Sequence, residues 1–224
     1  MNRSPRSEKH SKPMLGGSYS HKNKSLFSLW IGFVIVLSTV VTRASTAVET
    51  GAACQNAPPY ATVSMGASFV GEQKQIKGLK HAKTLYLTEA QKNQFALQVK
   101  DGSIYIKRDL SKPLTTKRAL YVMDPNGTIY AANRELVASA GIVLGRQPSV
   151  KGQMEQFVLL HHSSFLAGQP VAAAGHITIR NGKVISIDNK SGHYLPSACH
   201  LQQALVQLKS HGADTTDVKI ATAD

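Results

Sequence analysis

The chain has 224 residues, of which 42% are hydrophobic, and 26 basic against 13 acidic side chains give it a formal net charge of +13. This length favours one compact domain with an appendage over a multidomain protein. The first 47 residues hold seven of the basic residues and one of the acidic ones, which leaves 19 and 12 for the rest. The remainder is only moderately basic, and this argues against a dedicated nucleic-acid-binding protein.

Residues 1–25 are polar, basic and rich in serine, and we expect a disordered tail because they cannot bury enough apolar surface to fold. The next segment, residues 26–42, opens with the uncharged run LFSLWIGFVIVLSTVV. Its length lies between a signal-peptide core of about 7 to 15 residues and a full membrane span of about 20. We therefore expect either a signal-peptide core or a signal-anchor transmembrane helix, which would contact the membrane.

The charges on either side of this apolar run predict its orientation. Six basic residues precede the run and one follows it, which by the positive-inside rule places the N-terminus in the cytoplasm. The rest of the chain would then be exported across the cytoplasmic membrane. Cleavage after the run predicts a periplasmic or secreted protein, and retention of the run predicts a single-pass membrane protein.

The two cysteines, Cys54 and Cys199, fit an exported protein. In an oxidising compartment they are candidates for a disulfide that ties the start of the exported part to its last helix. The alternative is two free thiols, since the sequence does not fix the distance between their Cα atoms. No CxxC or HxxxH motif accompanies them, so the sequence predicts no metal site, and it indicates no cofactor.

Residues 43–84 are expected to be a lead-in or linker with little regular pattern. Four lysines occur here at three-residue intervals: Lys74, Lys77, Lys80 and Lys83. We interpret them as a solvated face or loop, because no aromatic residues lie between them to stack on bases. No specific nucleic-acid partner is expected, and electrostatic adhesion to anionic membranes or nucleic acid is kept as a weaker hypothesis.

Residues 85–224 carry the signals of a folded domain. Thr88 and Gln91 form a capping-box pattern that predicts a short helix ending near Gln94. Three pairs of apolar runs are joined by turn residues typical of β-hairpins, and they lie at 95–106, 119–132 and 176–188. Three hairpins indicate an antiparallel sheet.

The chain closes with a helix that begins near Ser197 and ends before Gly212. Its apolar residues recur at the spacing of one helical face: Leu201, Ala204, Leu205 and Leu208. A short strand is expected at 218–221. Hairpins that are segregated from helices indicate an α+β fold, here an antiparallel hairpin sheet packed by the C-terminal helix and preceded by the membrane-targeting apolar segment.

Two short segments, HHSS at 161–164 and SGHY at 191–194, carry groups suited to nucleophilic or acid–base chemistry. The candidate catalytic residues are His162, Ser163, Ser164, Ser191, His193 and Tyr194. On a strand, HHSS would place its first and third residues on one face and its second and fourth on the other. The structural alternative is that the serines bond to neighbouring backbone while one histidine is buried and paired. Neither GxSxG nor HExxH occurs, which counts against a familiar hydrolase or metalloprotease.

Several sequence blocks in a fixed order resemble a known domain. The blocks are ALYVMDPNGTIYAAN, HHSSFLAGQPVAAAGHITIRNGKVISIDNKSGHYLPS and GADTTDVKI. Together they are similar to the domain of plant IQ-motif calmodulin-binding proteins and of bacterial toxin-like or effector-like proteins, over roughly residues 85–221. The resemblance implies that its recurring polar positions are the six candidates named above, and that His176 stands where bacterial relatives often carry glutamate. The chain has no IQ motif of the form IQxxxRGxxxR, so we expect no calmodulin binding.

These features predict an exported or membrane-anchored single-domain protein that acts outside the cytoplasm as a binding or effector-like module on a protein target there. The alternative is a His/Ser-dependent enzyme, a transferase or hydrolase, that uses the HHSS and SGHY segments. The sequence leaves open whether the chain is an enzyme. The two hypotheses differ in whether these segments line an open cleft or point into a closed core.

Overall fold

Three β-sheets and three α-helices form the part of the chain that the structure describes. The structure is a computed structural model, and it describes residues 54–147 and 155–223. In chain order the elements are β1 Ala82–Thr84, α1 Glu89–Asn93, β2 Leu97–Lys100, β3 Ser103–Ile106, β4 Thr116–Met123, β5 Ile129–Ala132, α2 Arg134–Ser139, β6 Gly145–Gln147, β7 Gln156–Leu159, β8 Ala173–Arg180, β9 Lys183–Asp188, α3 Ala198–Ser210 and β10 Lys219–Ala221. Short 3-10 helices lie at Ala67–Phe69 and His162–Ser164. The predicted α+β class is confirmed.

The largest sheet has five strands in the order β10-β9-β8-β4-β5. All neighbours in it are antiparallel except β10, which runs parallel to β9. Two predicted hairpins build this sheet, β4 with β5 and β8 with β9. The second turns at Asn181 and Gly182, whose φ angles are 48° and 79°. Positive φ at both central residues is what a two-residue type I′ turn requires, and asparagine and glycine adopt it at low cost.

The remaining predicted hairpin, β2 with β3, forms a separate two-stranded sheet. It turns at Asp101 and Gly102, again with positive φ angles of 50° and 74°. The hairpin is attached to the large sheet through Ile104, which is fully buried and whose backbone amide donates to the carbonyl of Gly182 at 2.9 Å. The turn chemistry therefore fixes the hairpin, and burial of Ile104 fixes where it packs.

Helix α3 packs on the large sheet through the face that the sequence predicts. Leu201, Ala204 and Leu208 on that face are all buried. Gln203 is also fully buried, and its side-chain amide donates at 2.9 Å to two backbone carbonyls and accepts from two backbone amides. A buried amide with several partners is satisfied, and removal of these partners would cost free energy.

The segment before β1 is joined to this helix. Cys54 and Cys199 form a disulfide with their Cα atoms 5.1 Å apart. Both backbone groups of Ala61 bond to the side chain of Gln203, and Tyr60 is buried with its hydroxyl donating to Gln207 at 2.7 Å. Residues expected to be a lead-in therefore contribute to the packed interior. The lysines of this segment lie at its surface, with Lys74, Lys77 and Lys80 exposed and Lys83 half-buried.

A third sheet, β1-β7-β6, pairs this early segment with the middle of the chain. β1 runs parallel to β7, and β7 leads into the 3-10 turn that holds the HHSS segment. The expectation that HHSS lies on a strand is therefore wrong. The backbone amide of His161 donates to Oγ of Ser164 at 2.9 Å, and the amide of Ser164 donates to the carbonyl of His161 at 3.0 Å. These two bonds close a tight turn, so the residues do not alternate between two faces.

The predicted membrane segment, residues 26–42, and the predicted tail, residues 1–25, lie outside the described residues. Within the described part of the chain, no helix is long and apolar enough to cross a membrane. The longest helix there is α3 with 13 residues, whereas a span needs about 20.

Candidate functional site

A buried carboxylate and two histidines from three distant segments meet beside the 3-10 turn that follows β7. The residues are Glu72, His161 and His193, and one potential ligand atom from each lies within 4.8 Å of the other two. Oε2 of Glu72 is 3.8 Å from Nδ1 of His161 and 3.6 Å from Nε2 of His193. We refer to these three residues as the Glu–His–His cluster.

Local structure fixes each member of the cluster. The backbone of Glu72 donates to the carbonyl of Phe69 at 3.1 Å and accepts from the amide of Thr84 in β1 at 2.9 Å. His193 is anchored by its carbonyl, which accepts from the amide of Gly66 at 2.8 Å, and its ring lies on that of Phe69 with centroids 4.1 Å apart. The segment before β1 therefore contains the carboxylate of Glu72 and also anchors the imidazole of His193.

The carboxylate of Glu72 is unusual for a buried charged group. Its side chain is 2% exposed. Oε1 accepts a hydrogen bond from the hydroxyl of Ser163, and Oε2 has no hydrogen-bond partner among the described residues. The carboxylate also lies close to the hydroxyl of Tyr86, whose pKa is raised by burial and by Glu72. Burying an ionised oxygen without a partner costs several kcal/mol, roughly, and native proteins seldom leave one so. The unpaired oxygen points to a missing positive charge beside it.

The hydrogen bonds of Ser163 determine which nitrogen of His193 carries a proton. Ser163 is fully buried, and its oxygen is 3.2 Å from Nδ1 of His193. Because the hydroxyl proton is donated to Glu72, which as a carboxylate can only accept, the serine oxygen accepts from Nδ1–H of His193. In the neutral ring, Nε2 of His193 then carries a lone pair, and it faces Oε2 of Glu72 at 3.6 Å. Two lone pairs that face each other in a buried site repel unless a cation lies between them.

Both histidines of the cluster favour the neutral form. Burial lowers the pKa of His161, and His193 lowers it further, against the opposing charge of Glu72. Burial also lowers the pKa of His193, again opposed by Glu72. Neutral imidazoles are the form that binds metals or accepts protons. Nδ1 of His161, the nitrogen that lies 3.8 Å from Oε2 of Glu72, is also 2.8 Å from Oγ1 of Thr84, whereas Ser163 contacts the nitrogen of His193 that faces away from Glu72.

The six predicted site residues divide into two groups. Ser163 and His193 lie at the cluster. Ser164 and Tyr194 instead bond to backbone: Ser164 caps the turn through the amide of His161 at 2.9 Å, and the hydroxyl of Tyr194 donates to the carbonyl of Gln169 at 2.9 Å. Their catalytic roles stay predictions, and only the first pair has the surroundings of a reactive site.

His162 and Ser191 lie apart from the cluster. Nε2 of His162 is 2.8 Å from the carbonyl of Gly175, and burial lowers the pKa of this histidine to about 4, so it is neutral at pH 7. The buried hydroxyl oxygen of Ser191 has no hydrogen-bond partner among the described residues. Neither side chain is placed to act on a group bound at Glu72.

Glu72 and His161 are the members of the cluster that the sequence did not nominate. Glu72 lies in the segment expected to be a lead-in, 91 residues before Ser163. The sequence does hold one signal, since Glu72 is the only acidic residue between 50 and 88 and lies just before four lysines. His161 is not among the six candidates, which are the recurring polar positions that the family resemblance implies.

Comparison with known proteins relates this chain to plant proteins. Residues 91–201 match the sequence model of the IQ motif-containing protein middle domain. IQ domain-containing protein IQM1 of Arabidopsis thaliana is 26% identical over 159 residues, which cover 67% of this chain and 28% of the relative. IQM5 of the same plant is 24% identical over 164 residues, 69% of this chain and 29% of the relative. The chain therefore spans under a third of the length of these relatives, and no solved structure matches it.

These relatives correct several predictions. They are plant IQ domain-containing proteins, so the prediction of an exported or membrane-anchored effector-like module is wrong. The predicted periplasmic, secreted or single-pass location, the membrane contact through 26–42 and the target outside the cytoplasm are wrong for the same reason. The expectation of no calmodulin binding, which was based on the missing IQ motif, is also wrong, because it conflicts with relatives that are IQ domain-containing proteins. The resemblance to bacterial toxin-like proteins is not tested by these matches.

Proposed function

We propose that this chain, which its residues 91–201 relate to the middle domain of IQ motif-containing proteins, is a metal-binding domain. It holds one divalent transition-metal ion of the zinc class on Glu72, His161 and His193. One observation carries the proposal: the buried oxygen Oε2 of Glu72, which has no hydrogen-bond partner among the described residues, lies 3.6 Å from Nε2 of His193. A divalent cation is the occupant that turns the repulsion between these two atoms into two favourable bonds.

The distances in the cluster suit such an ion. Zinc bonds to histidine nitrogen and carboxylate oxygen at about 2.0 to 2.2 Å, and tetrahedral angles then separate neighbouring ligand atoms by roughly 3.4 Å. The observed separations from Oε2 of Glu72 are 3.6 Å and 3.8 Å. The ligand atoms of the two histidines lie within 4.8 Å of each other, and Nδ1 of His161 also contacts Thr84. Metal binding would therefore draw the ligand atoms together by at most roughly 1.4 Å and replace the contact with Thr84.

The residues around the cluster have the arrangement of an outer shell. In metal sites, a ligating histidine usually donates its other ring N–H to a neighbouring oxygen, which fixes the ring. Nδ1 of His193 does this toward Ser163, and the same serine hydroxyl binds the other oxygen of Glu72. Ser163 thus orients two of the proposed ligands at once. Its full burial fits this role better than that of a nucleophile.

Three protein ligands leave a coordination position open. Two histidines and one glutamate form the ligand set of catalytic zinc sites, in which a water or substrate completes the shell, and also of open iron sites. A metal bound here would supply Lewis acidity at that position. The proposed site is assembled from residues 72–193, so the functional unit includes part of the segment before residue 85.

Metal binding by the purified full chain tests the proposal. The protein is stripped with a chelator, then titrated with Zn²⁺ against a fluorescent competitor and with Co²⁺ in the visible spectrum. We expect one ion per chain, a Co²⁺ spectrum typical of low coordination number, and a rise in Tm on metal addition. Glu72→Gln and His193→Ala should weaken binding by about 100-fold or more, and Ser163→Ala by roughly 10- to 100-fold.

Matched controls separate the cluster from other histidines and carboxylates. Glu89→Gln changes a carboxylate whose side chain is 81% exposed, and His211→Ala changes an exposed imidazole. Both should bind metal as the wild type does. Circular dichroism establishes that each variant is folded. The proposal fails if the wild type takes up no metal at micromolar concentration, or if folded Glu72→Gln binds as tightly as the wild type.

A further inference from the structure

A cleft of about 540 Å³ opens beside His161, between β4, the start of α2 and the end of β7. Its lining combines cationic side chains with an apolar floor. The floor residues are Leu120, Ala132, Leu144, Val158, Leu159 and Leu160. Since His161 lines this cleft and also belongs to the Glu–His–His cluster, the cleft reaches the proposed metal site from one side.

The charge of the cleft is strongly one-sided. Lys117, Arg118 and Arg134 line it, against the single carboxylate of Glu135. None of these three cations lies within ion-pair distance of a carboxylate among the residues that the structure describes. The carboxylate of Glu135 instead accepts from the side-chain amide of Asn133 at 3.1 Å. The positive groups in the cleft are therefore free to meet an anion.

Arg118 is held in place without having its donors satisfied. Its Nη2 lies 3.2 Å from Nδ1 of His176. This contact uses one N–H of the guanidinium, and the side chain of Arg118 has no further hydrogen bond or ion pair among the described residues. The remaining planar donors of Arg118 are therefore available. An arginine with free donors recognises oxyanions in a bidentate manner.

We propose that this cleft binds a small molecule that carries an oxyanionic head group, a carboxylate or a phosphate, on an apolar body. The head group lies between Arg118 and Arg134 near His161, and the apolar body lies on the leucine-rich floor. This inference rests on the proposed metal function in one respect, since the head group takes the open coordination position of the ion. The charge and apolar lining of the cleft stand independently of it.

Ligand binding to the full chain tests the inference. The probes are phenylacetate and phenyl phosphate, with 2-phenylacetamide as an uncharged analogue of the same shape. Calorimetry and saturation-transfer NMR are run on the metal-free and the Zn²⁺-loaded protein. We expect saturable binding of at least one anion and at least roughly tenfold weaker binding of the amide, because hydrogen bonds to charged groups are worth more than neutral ones. The two anions show which head group the cleft prefers.

Variants locate the site. Arg118→Gln and Arg134→Gln should each weaken anion binding by roughly tenfold, while Arg180→Gln, which changes an exposed arginine outside the cleft, should leave it unchanged. Equal binding of the amide and the anions would overturn the inference, and so would wild-type affinity in both cleft variants.

The two proposals can fail separately. The cleft inference alone is refuted when Co²⁺ binds but neither anion binds or alters its spectrum. Anion binding that requires Arg118 in a protein unable to hold metal supports the cleft and refutes only the metal centre. Anion-dependent changes in the Co²⁺ spectrum that disappear in Arg118→Gln support both proposals together.

Discussion

Replacement of Gly175 by alanine should destabilise the domain severely, because β9 occupies the space of a side chain at this position. A Cβ built on Gly175 would overlap the carbonyl oxygen of Asp188, and it would lie 2.7 Å from the carbonyl carbon of Asp188 and 3.0 Å from Cα of Asn189. All three are backbone atoms, so no side-chain rotation relieves the contact. The same carbonyl of Asp188 accepts from the buried hydroxyl of Tyr121 at 3.1 Å.

The magnitude follows from these contacts. Overpacking of a well-packed core costs about 1 to 3 kcal/mol. A shift of the Asp188 carbonyl by more than 1 Å would also strand the buried hydroxyl of Tyr121, at a cost of about 1 to 3 kcal/mol. We therefore expect Gly175→Ala to lower the free energy of unfolding by roughly 2 to 6 kcal/mol, or Tm by roughly 4 to 24 °C. This is a large share of the roughly 5 to 15 kcal/mol that holds a typical domain folded.

Urea unfolding followed by far-UV circular dichroism measures this effect, with Gly192→Ala as the matched control. A Cβ at Gly192 would meet nothing within 4 Å, and the backbone there is not in the left-handed region. The control should therefore stay within about 0.5 kcal/mol of the wild type. A loss below about 1 kcal/mol in Gly175→Ala would refute the reasoning, because it would mean that β9 can move away at little cost.

Three further effects on stability follow from buried groups. Burial lowers the folded-state pKa of His162 to about 4, so as the pH falls this histidine is protonated in the unfolded chain before it is protonated in the folded one. Stability should therefore fall between pH 6.5 and pH 4 by up to about 3 kcal/mol, and urea unfolding of chelator-treated His162→Gln should show a smaller loss. Reduction of the bond between Cys54 and Cys199, which are 145 residues apart, should cost at most about 5 kcal/mol by chain entropy. Dithiothreitol should lower the Tm of the wild type and leave the Tm of the Cys54→Ser/Cys199→Ser variant unchanged. An unaltered wild-type Tm would contradict this. Gln203→Leu should cost about 2 to 4 kcal/mol in urea, since it strands several backbone groups, whereas exposed Gln202→Leu should cost less than about 0.5.

The parts of the fold that the sequence predicted correctly are those set by neighbouring residues. The three hairpins depend on turn residues that tolerate positive φ, such as Asn181 and Gly182, and such turns form wherever the chain pairs on either side. The capping box at Thr88 works in the same way, since its partner Gln91 is three residues away. In each case a few residues that are adjacent in the sequence determine the local structure.

The HHSS segment shows where this local reasoning fails. The residues around it are apolar and typical of a strand. The hydroxyl oxygen of Ser164, however, accepts a hydrogen bond from the backbone amide of His161 and so caps a tight turn. The side chains of serine compete with regular structure by bonding to nearby backbone. Hydrophobic pattern alone gives no weight to that competition, so the strand and its alternating faces were predicted wrongly.

The candidate site could be predicted only in part, because its parts are far apart in the chain. Ser163 and His193 were nominated from chemistry and proximity in sequence, since they are 30 positions apart. Glu72 reaches them only because β1 pairs in parallel with β7, and a parallel pairing between short strands leaves no local mark on either. The sequence analysis therefore did not predict Glu72, whose carboxylate gives the cluster its charge.

The position of one proton distinguishes the two chemistries that the HHSS and SGHY segments suggest. A serine nucleophile must give its proton to histidine, so His193 would have to accept from Ser163. Ser163 instead donates to Glu72, and its oxygen therefore accepts from His193. The same three groups, at the same distances, then form a frame that points one oxygen and one nitrogen lone pair at a common position. In that frame the histidine and the carboxylate act as ligands, and the serine holds them in place.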